Sequence, residues 1–171
     1  LVVGCRYEGE PGFFAPIAFL NSTNSIPAGR EVYGTPKVSA EITVSGDEHE
    51  MVTDTRTGGS TSFLIRTTMH EAATESDFPD LVPSWRLKVI PRADGQGADI
   101  CQLIDATSVT GDVTVHVRRR GEGVVEFHPD PTYDLTDFTP REYLGARYIE
   151  MDYTEGYGRI VRDFLRDPES D

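Results

Sequence analysis

Lys37 is the residue whose type and position best fit covalent chemistry. The 171-residue chain has two lysines, Lys37 and Lys88, and 14 arginines. A guanidinium keeps its proton in a protein, whereas an ammonium can lose it and become a nucleophilic amine. Lys37 follows Gly34-Thr35-Pro36, where proline fixes φ and favours an extended residue before it. The segment therefore predicts an amine held rigidly where a turn enters a strand; the alternative is a solvated lysine at a strand start.

Alternating apolar residues and turn signals predict the elements that must position this lysine. We expect short strands at Leu1–Tyr7, Phe13–Leu20, Val38–Val44, Glu50–Thr55, Ser62–Ala72, Trp85–Pro91, Ile100–Ala106, Asp112–Arg119, Val124–His128 and Tyr143–Asp152. Apolar residues at helical spacing predict a C-terminal helix over Arg159–Leu165, and a short helix is expected over Asn24–Arg30. The segment Gly121-Glu122-Gly123 is interpreted as the turn of a last hairpin. The pattern predicts a mainly β (α+β) chain, a barrel or a sandwich.

Composition limits the classes of partner. The net charge of −13 and the pI near 4.6 argue against a nucleic acid or an anionic membrane, because no basic groove is available for phosphate groups. Neither the two cysteines nor the four histidines have the spacing of a metal site. The sequence has no apolar run of about 18 residues that could cross a bilayer. We therefore expect a cytoplasmic protein with no nucleic-acid partner, membrane partner, metal or cofactor.

The motif around Lys37 resembles one in the acetoacetate decarboxylase family. Gly-Arg-Glu at residues 29–31 is followed by Gly-x-Pro-Lys at residues 34–37. Further segments have counterparts in the family in the same order: Gly12–Asn21, Trp85–Pro91, Asp99–Ile104 and Asp112–His116. The resemblance covers nearly the whole chain, from about Val3 to Leu165. Several motifs in one order are more specific than any one of them.

The resemblance implies a fold and a site. The fold would be a conical antiparallel β-barrel with helices outside, a single domain over residues 1–171 in a homo-oligomer that acts on a small keto acid. Lys37, after the proline, would form a Schiff base with a β-keto acid. By matching position, the pocket walls would be Phe14, Ala18, Thr35 and Val38, and the nearby polar groups would be Arg30 and Glu31.

Two departures from the family pattern bear on the reaction. Decarboxylases of the family carry Lys-Lys where this chain has Lys37-Val38. The second ammonium helps to keep the first amine neutral, for which these enzymes are the usual example. Without it, desolvation alone would have to favour the neutral amine of Lys37. Family members with a single lysine look like a divergent branch, and some of them resemble aldolases or dehydratases rather than decarboxylases. The second departure is length, because the family has a further N-terminal segment with an arginine and active-site carboxylates, and we expect this chain to lack it.

Three functions remain open from the sequence. The first is a Schiff-base lyase that decarboxylates a β-keto acid such as acetoacetate. The second is a Schiff-base aldolase or dehydratase that acts on another keto acid, which the missing second lysine favours. The third is a non-catalytic barrel that binds a small ligand, which the expected absence of the N-terminal carboxylates favours.

Overall fold

The computed structural model describes residues 1–107 and 110–167, which form strands joined by turns and one α-helix. The strands are β1 (Val3–Tyr7), β2 (Glu10–Phe14), β3 (Ala18–Leu20), β4 (Lys37–Ser39), β5 (Glu41–Gly46), β6 (Glu50–Thr57), β7 (Ser60–Ala72), β8 (Ser84–Pro91), β9 (Ala98–Asp105), β10 (Thr110–Phe127), β11 (Ala146–Glu155) and β12 (Arg159–Asp163). Helix α1 spans Ser25–Glu31, and 3-10 turns occupy Glu75–Asp77 and Thr136–Phe138. The prediction of a mainly β fold is confirmed.

The chain divides into two compact units that are not contiguous in sequence. The first unit comprises the described parts of Leu1–Val38, Asp80–Val113 and Tyr153–Asp171, and the second comprises Ser39–Pro79 and Thr114–Asp152. Lys37 belongs to the first unit. The prediction of one domain over the whole chain stays a prediction.

The first unit is built on a five-stranded sheet in the order β1-β2-β8-β9-β12. Its pairs are antiparallel except for β2 and β8, which run parallel at Phe13 and Phe14. Trp85 is 3% exposed and packs edge-on against Tyr7 with ring centroids 6.0 Å apart. Gly12 makes room for this ring, since a Cβ there would lie 2.9 Å from the indole. The sheet has two different edge strands, β1 and β12, so its described pairings do not close into a ring.

The sheet of the second unit has the strand order β11-β10-β7-β6-β5. Strands β5, β6 and β7 form an antiparallel meander. Asp47 stabilises the turn between β5 and β6, because its Oδ1 accepts hydrogen bonds from the N–H groups of His49 and Glu50. The turn between β6 and β7 contains Gly58 and Gly59, with φ of +56° and +86°. This sheet too has two edge strands, β5 and β11.

A buried polar cluster lies at the end of the β6–β7 hairpin. The carboxylate of Asp130, which is 5% exposed, accepts hydrogen bonds from the hydroxyls of Thr57 and Ser62. Its other oxygen accepts from the backbone N–H groups of Thr132 and Tyr133. Both carboxylate oxygens therefore have hydrogen-bond partners, as buried polar groups generally do.

The predicted helix at the C-terminus is wrong. Residues Arg159–Asp163 form strand β12, which pairs with β9 in an antiparallel register that has a bulge between Ile160 and Arg162. A helix of about seven residues is marginal on its own. As a strand, residues 159–163 instead form hydrogen bonds with the backbone groups along the edge of β9. These tertiary contacts favour a strand, although the spacing of the apolar residues fits a helix.

The predicted last hairpin is wrong as well. The two predicted strands on either side of Gly121 are one strand, β10, with a bulge between Arg120 and Gly121 opposite β7. Gly121 and Gly123 do not have positive φ. A Cβ at Gly121 would lie 2.7 Å from the Cα of Met69, so this glycine serves close approach of two strands rather than a reversal.

The predicted short helix after the second strand is confirmed as α1. The single predicted strand Phe13–Leu20 is divided into β2 and β3 on either side of Pro16. Within residues 1–107 and 110–167, none of the helical segments is both long and apolar enough to cross a bilayer.

Candidate active site

The turn between α1 and β4 places Lys37. The backbone N–H of Thr35 donates to the carbonyl of Gly29 at 2.9 Å, which ties the turn to the helix. The N–H of Lys37 donates to the Thr35 carbonyl at 2.7 Å across Pro36, in the i to i+2 pattern of a γ-turn. The Pro36 carbonyl accepts from the N–H of Ala18 in β3 at 3.1 Å. The backbone next to Lys37 is therefore anchored to both α1 and β3.

The side chain of Lys37 lies across Gly29 of α1. A Cβ at residue 29 would lie 2.5 Å from Cε of Lys37 and 2.9 Å from Nζ. The Nζ atom is 3.5 Å from the carbonyl oxygen of Ser25, which is a long hydrogen bond. The Lys37 residue is half-buried. Glycine at position 29 thus leaves room for the aliphatic stem, and the amine has one weak hydrogen-bond partner among the described residues.

Gly34 allows the same turn to approach strand β8. Its φ is +70°, a region that residues with a side chain rarely adopt. A Cβ at residue 34 would lie 2.8 Å from the Cα of Lys88. The positive φ and the close approach to Lys88 both favour glycine at position 34. The fold therefore explains why the Gly-x-Pro-Lys motif begins with glycine. Gly34 lets the turn contact β8, and Pro36 sets the γ-turn that precedes the lysine.

Lys37 lines a cavity of about 390 Å³ in the first unit. This volume is within the usual range for small-molecule sites. The lining combines a lysine, a carboxyl group and a guanidinium group with hydroxyl and apolar groups: Tyr33, Thr35, Lys37, Leu81, Val82, Ser84, Arg86, Ala106, Thr107 and Glu155. Among the described residues, no group of three or more His, Cys, Asp and Glu side chains could hold a metal ion.

Arg86 brings a half-buried cation into this cavity from the middle of the sheet. Its Nη1 donates to Ser84 Oγ at 2.9 Å and to the Trp85 carbonyl at 2.8 Å. Its Nε is buried and has no hydrogen-bond partner among the described residues. Burial lowers the pKa of the Arg86 guanidinium, which nevertheless stays charged at neutral pH because an ordinary arginine titrates far above it.

Tyr33 and Glu155 contribute the other titratable groups. The hydroxyl of Tyr33 donates to the carbonyl of Gly156 at 2.8 Å, and its ring stacks on Tyr157 with centroids 6.5 Å apart. Burial, then the charges of Glu155 and Tyr157, raise the pKa of Tyr33. Tyr33 is therefore a neutral phenol at physiological pH. Its hydroxyl is fixed by the chain segment that also carries Glu155.

The structure places the predicted polar groups away from the lining of this cavity. Arg30 and Glu31 are exposed and line a second cavity of about 410 Å³ with the apolar end of β8. Since each helical residue turns by about 100°, they face other directions from Gly29, which carries the Lys37 side chain. Their proposed roles stay predictions.

Of the four predicted pocket-wall residues, Thr35 lines the Lys37 cavity. Phe14, Ala18 and Val38 are half-buried but are not among its lining residues. Ala18 acts instead through its backbone N–H, which binds the Pro36 carbonyl. Their assignment as pocket walls also stays a prediction.

Reasoning from the sequence did not include Arg86, Glu155 or Tyr33 in the site. The strand pattern could have indicated Arg86. Arg86 and Lys88 are two residues apart in one strand, so their side chains share a face, and both residues are half-buried. Arg86 is also adjacent in sequence to the buried Trp85. Glu155 gave no signal of its own, because its position depends on pairing between distant parts of the chain.

Gly29→Ala provides a test of how tightly the amine is held. The new methyl group would overlap the stem of Lys37, which must then move, and a displacement of about 1 Å can cost about 100-fold in rate. On the expectation that Lys37 forms a Schiff base with a keto acid, reductive trapping on Lys37 should slow at least about tenfold. The free energy of unfolding should change by less than about 1 kcal/mol, since alanine favours a helix by about that amount and the clash is with a flexible side chain.

The matched control is Gly4→Ala in β1, where a Cβ would meet nothing within 4 Å. Both variants are to be compared by thermal unfolding and by the rate of adduct formation. Equal trapping rates in the two variants would contradict the close fit of Lys37 on Gly29.

Comparison with known proteins relates this chain to one family. The family model described as acetoacetate decarboxylase matches residues 1–165. A curated acetoacetate decarboxylase from Acidiphilium cryptum (strain JF-5) is 28% identical over 170 residues, covering 96% of this chain and 67% of that protein. The crystal structure of acetoacetate decarboxylase from Legionella pneumophila is similar with a TM-score of 0.85 and 26% identity, covering 96% of this chain and 66% of that one.

A further solved structure resembles the chain in fold. It is the enduracididine biosynthesis enzyme MppR complexed with pyruvate, with a TM-score of 0.76 and 20% identity, covering 95% of this chain and 65% of that one. At this identity the likeness concerns the fold alone. The chain spans about two thirds of the length of the relatives that it matches.

Proposed function

Because the chain belongs to the acetoacetate decarboxylase family, we propose that it is a Schiff-base lyase that converts a β-keto acid such as acetoacetate to a ketone and CO2. The observation that carries the proposal is the position of Lys37, which lines a cavity of suitable size together with Arg86 and Glu155. The other lysine, Lys88, lies against Gly34 and is not among the residues that line this cavity.

The proposed reaction has four steps at Lys37. The unprotonated Nζ attacks the ketone carbon, and loss of water gives an iminium ion. The bond to the carboxylate then breaks, its electron pair moves into the enamine, and CO2 leaves. The enamine takes a proton on carbon, and water hydrolyses the new iminium to release the ketone and the free amine. Glu155 and Tyr33 line the same cavity and are the candidates for handling protons.

A second function is favoured by the residue after Lys37. Val38 stands where decarboxylases of the family have a second lysine, and an aldolase or dehydratase could use the same iminium ion without losing CO2. The pyruvate complex of MppR, a protein of this fold, agrees with a site for another keto acid. In this alternative the carboxylate of the substrate is kept.

Borohydride trapping with acetoacetate and with pyruvate, followed by peptide mass mapping, tests the proposal. We expect an adduct on Lys37 and none on Lys88, together with CO2 release from acetoacetate. Efficient trapping of pyruvate without CO2 release from acetoacetate would support the aldolase or dehydratase. No adduct on Lys37 with either acid at neutral pH would remove both enzymes and leave a ligand-binding protein.

Assembly and location are further parts of the proposal. Assembly into a homo-oligomer and a cytoplasmic location remain predictions for this chain, and the small keto acid is the proposed partner.

A further inference from the structure

Arg86 is a half-buried cation that lacks a counter-ion in the described part of the chain. Its two hydrogen bonds go to neutral oxygens, those of Ser84 and Trp85. Three of the four other half-buried arginines pair with carboxylates: Arg119 with Glu48, Arg120 with Glu71 and Asp77, and Arg162 with Glu8. Arg86 has no such pair among the described residues.

A desolvated guanidinium without a counter-ion is costly unless a ligand supplies the negative charge. The planar guanidinium fork matches a carboxylate, with two parallel N–H donors for its two oxygens. In Arg86, Nη1 binds the two neutral oxygens, and Nε is buried without a hydrogen-bond partner in the described part of the chain, as it also is in Arg119 and Arg120. Nη2 has no hydrogen-bond partner among the described residues, so its N–H groups are the donors left for an anion inside the cavity.

Arg86 and Lys37 line the same cavity. A molecule that carries both a ketone and a carboxylate can therefore meet the amine with one group and the guanidinium with the other. We propose that Arg86 binds the carboxylate of the keto acid and thereby makes the cavity selective for keto acids over neutral ketones. This inference rests on the proposed function for the role of Lys37, but carboxylate binding by Arg86 can be measured without the imine.

The proposal has a kinetic consequence. The ion pair with Arg86 is strongest while the carboxylate carries a full charge, and it weakens as that group leaves as neutral CO2. Arg86 would therefore contribute to binding of the substrate more than to the transition state. Removing it should raise KM for acetoacetate without lowering kcat, and kcat should rise to the extent that the ion pair is already lost in the transition state, a division that a merely structural role would not produce.

The test compares acetoacetate with methyl acetoacetate, which has the same ketone but no charge. The half-saturating concentration for reductive trapping on Lys37 is measured for the wild type, Arg86→Gln and Arg86→Lys. We expect Arg86→Gln to raise this value at least about tenfold for acetoacetate and to leave it within about twofold for the ester. Arg86→Lys should restore part of the preference, since it keeps the charge without the fork.

The control variant is Arg159→Gln, which removes an exposed arginine paired with Asp105 at the edge of the same sheet. It should leave both probes unchanged. An equal effect of Arg86→Gln on acid and ester, or no effect on either, would overturn the proposal. The ester also reports whether the variant still has an intact site.

A second measurement separates this inference from the proposed function. Binding of acetoacetate to Lys37→Gln is measured by titration calorimetry, with and without Arg86→Gln. Loss of binding on removal of Arg86 would support the inference even if the wild type forms no imine. If the wild type forms the adduct on Lys37 but Arg86→Gln does not change the binding of acetoacetate, the proposed lyase function would stand and the proposed carboxylate site would be rejected. Failure of acetoacetate to bind Lys37→Gln at all would also reject it.

Discussion

Lys37→Gln should lower kcat for CO2 release from acetoacetate at least about a thousandfold, because it removes the nucleophile through which the proposed reaction passes. The same variant should abolish the borohydride adduct. The free energy of unfolding should change by less than about 0.5 kcal/mol, since the described partner of Nζ is one carbonyl at 3.5 Å. Turnover, adduct mass and urea unfolding measured on one preparation distinguish lost chemistry from lost structure.

Lys88→Gln is the matched control for this prediction. Lys88 is the other lysine in the chain, and it lies in the same unit against the backbone of Gly34. We expect its turnover and trapping to stay within about twofold of the wild type, as for an ordinary substitution away from a site. If an imine still formed in Lys37→Gln, both enzyme functions proposed for Lys37 would be lost.

Asp130→Asn should lower the free energy of unfolding by about 2 kcal/mol at pH 7, because hydrogen bonds to a charged group contribute about 1.5–3 kcal/mol. Asp130 is buried and accepts from two hydroxyls and two backbone amides. An asparagine has the same shape but no charge, and one of its acceptors becomes a donor. Urea unfolding at a series of pH values measures the effect.

The pH dependence follows from the hydrogen bonds. The hydroxyls of Ser62 and then Thr57 hold the pKa of Asp130 well below its ordinary range in the folded protein. In the unfolded chain an aspartate titrates at about 4. Below that pH the unfolded state binds more protons than the folded state, so the stabilisation by Asp130 decreases as the pH falls. The difference between wild type and Asp130→Asn should thus be constant above about pH 5 and shrink below about pH 4.

Asp134→Asn provides the control from the same segment. Asp134 is exposed and accepts from the N–H and hydroxyl of Thr136, a local cap that water can replace. Its loss should destabilise the protein much less than the loss of Asp130. A difference between wild type and Asp130→Asn that grew on acidification would contradict the assignment of Asp130 as the buried anion.

The parts of the site that are local in sequence could be predicted from it. Lys37 could be singled out because the chain contains only two lysines. The turn Gly34-Thr35-Pro36 and the short helix before it both lie within about a dozen residues of Lys37. Their conformations follow from the backbone preferences of glycine and proline, which need no knowledge of distant strands. The resulting turn and α1 are present as expected.

The parts that depend on strand pairing could not be predicted in this way. Arg86 reaches the cavity because β8 pairs with β9 and, in parallel, with β2, and Glu155 reaches it from the end of β11. The same limit explains the C-terminal segment, where the apolar spacing fits a helix but pairing with β9 makes a strand. The pairing of two strands depends on contacts between residues that are far apart in sequence, and the propensity of each residue for a strand or a helix does not include these contacts.

The order of strands in the first sheet also bears on how the protein is made. Its five strands come from three separate stretches of the chain, and β9 gains its outer partner only when residues 159–163 have been synthesised. Pairings between sequence-distant strands form slowly, whereas the β5–β6–β7 meander consists of neighbours and can form early. Until β12 arrives, β9 presents an open edge that can pair with another nascent chain. Residues 159–163, although remote from Lys37 in sequence, therefore decide when the sheet that contains β8 is complete.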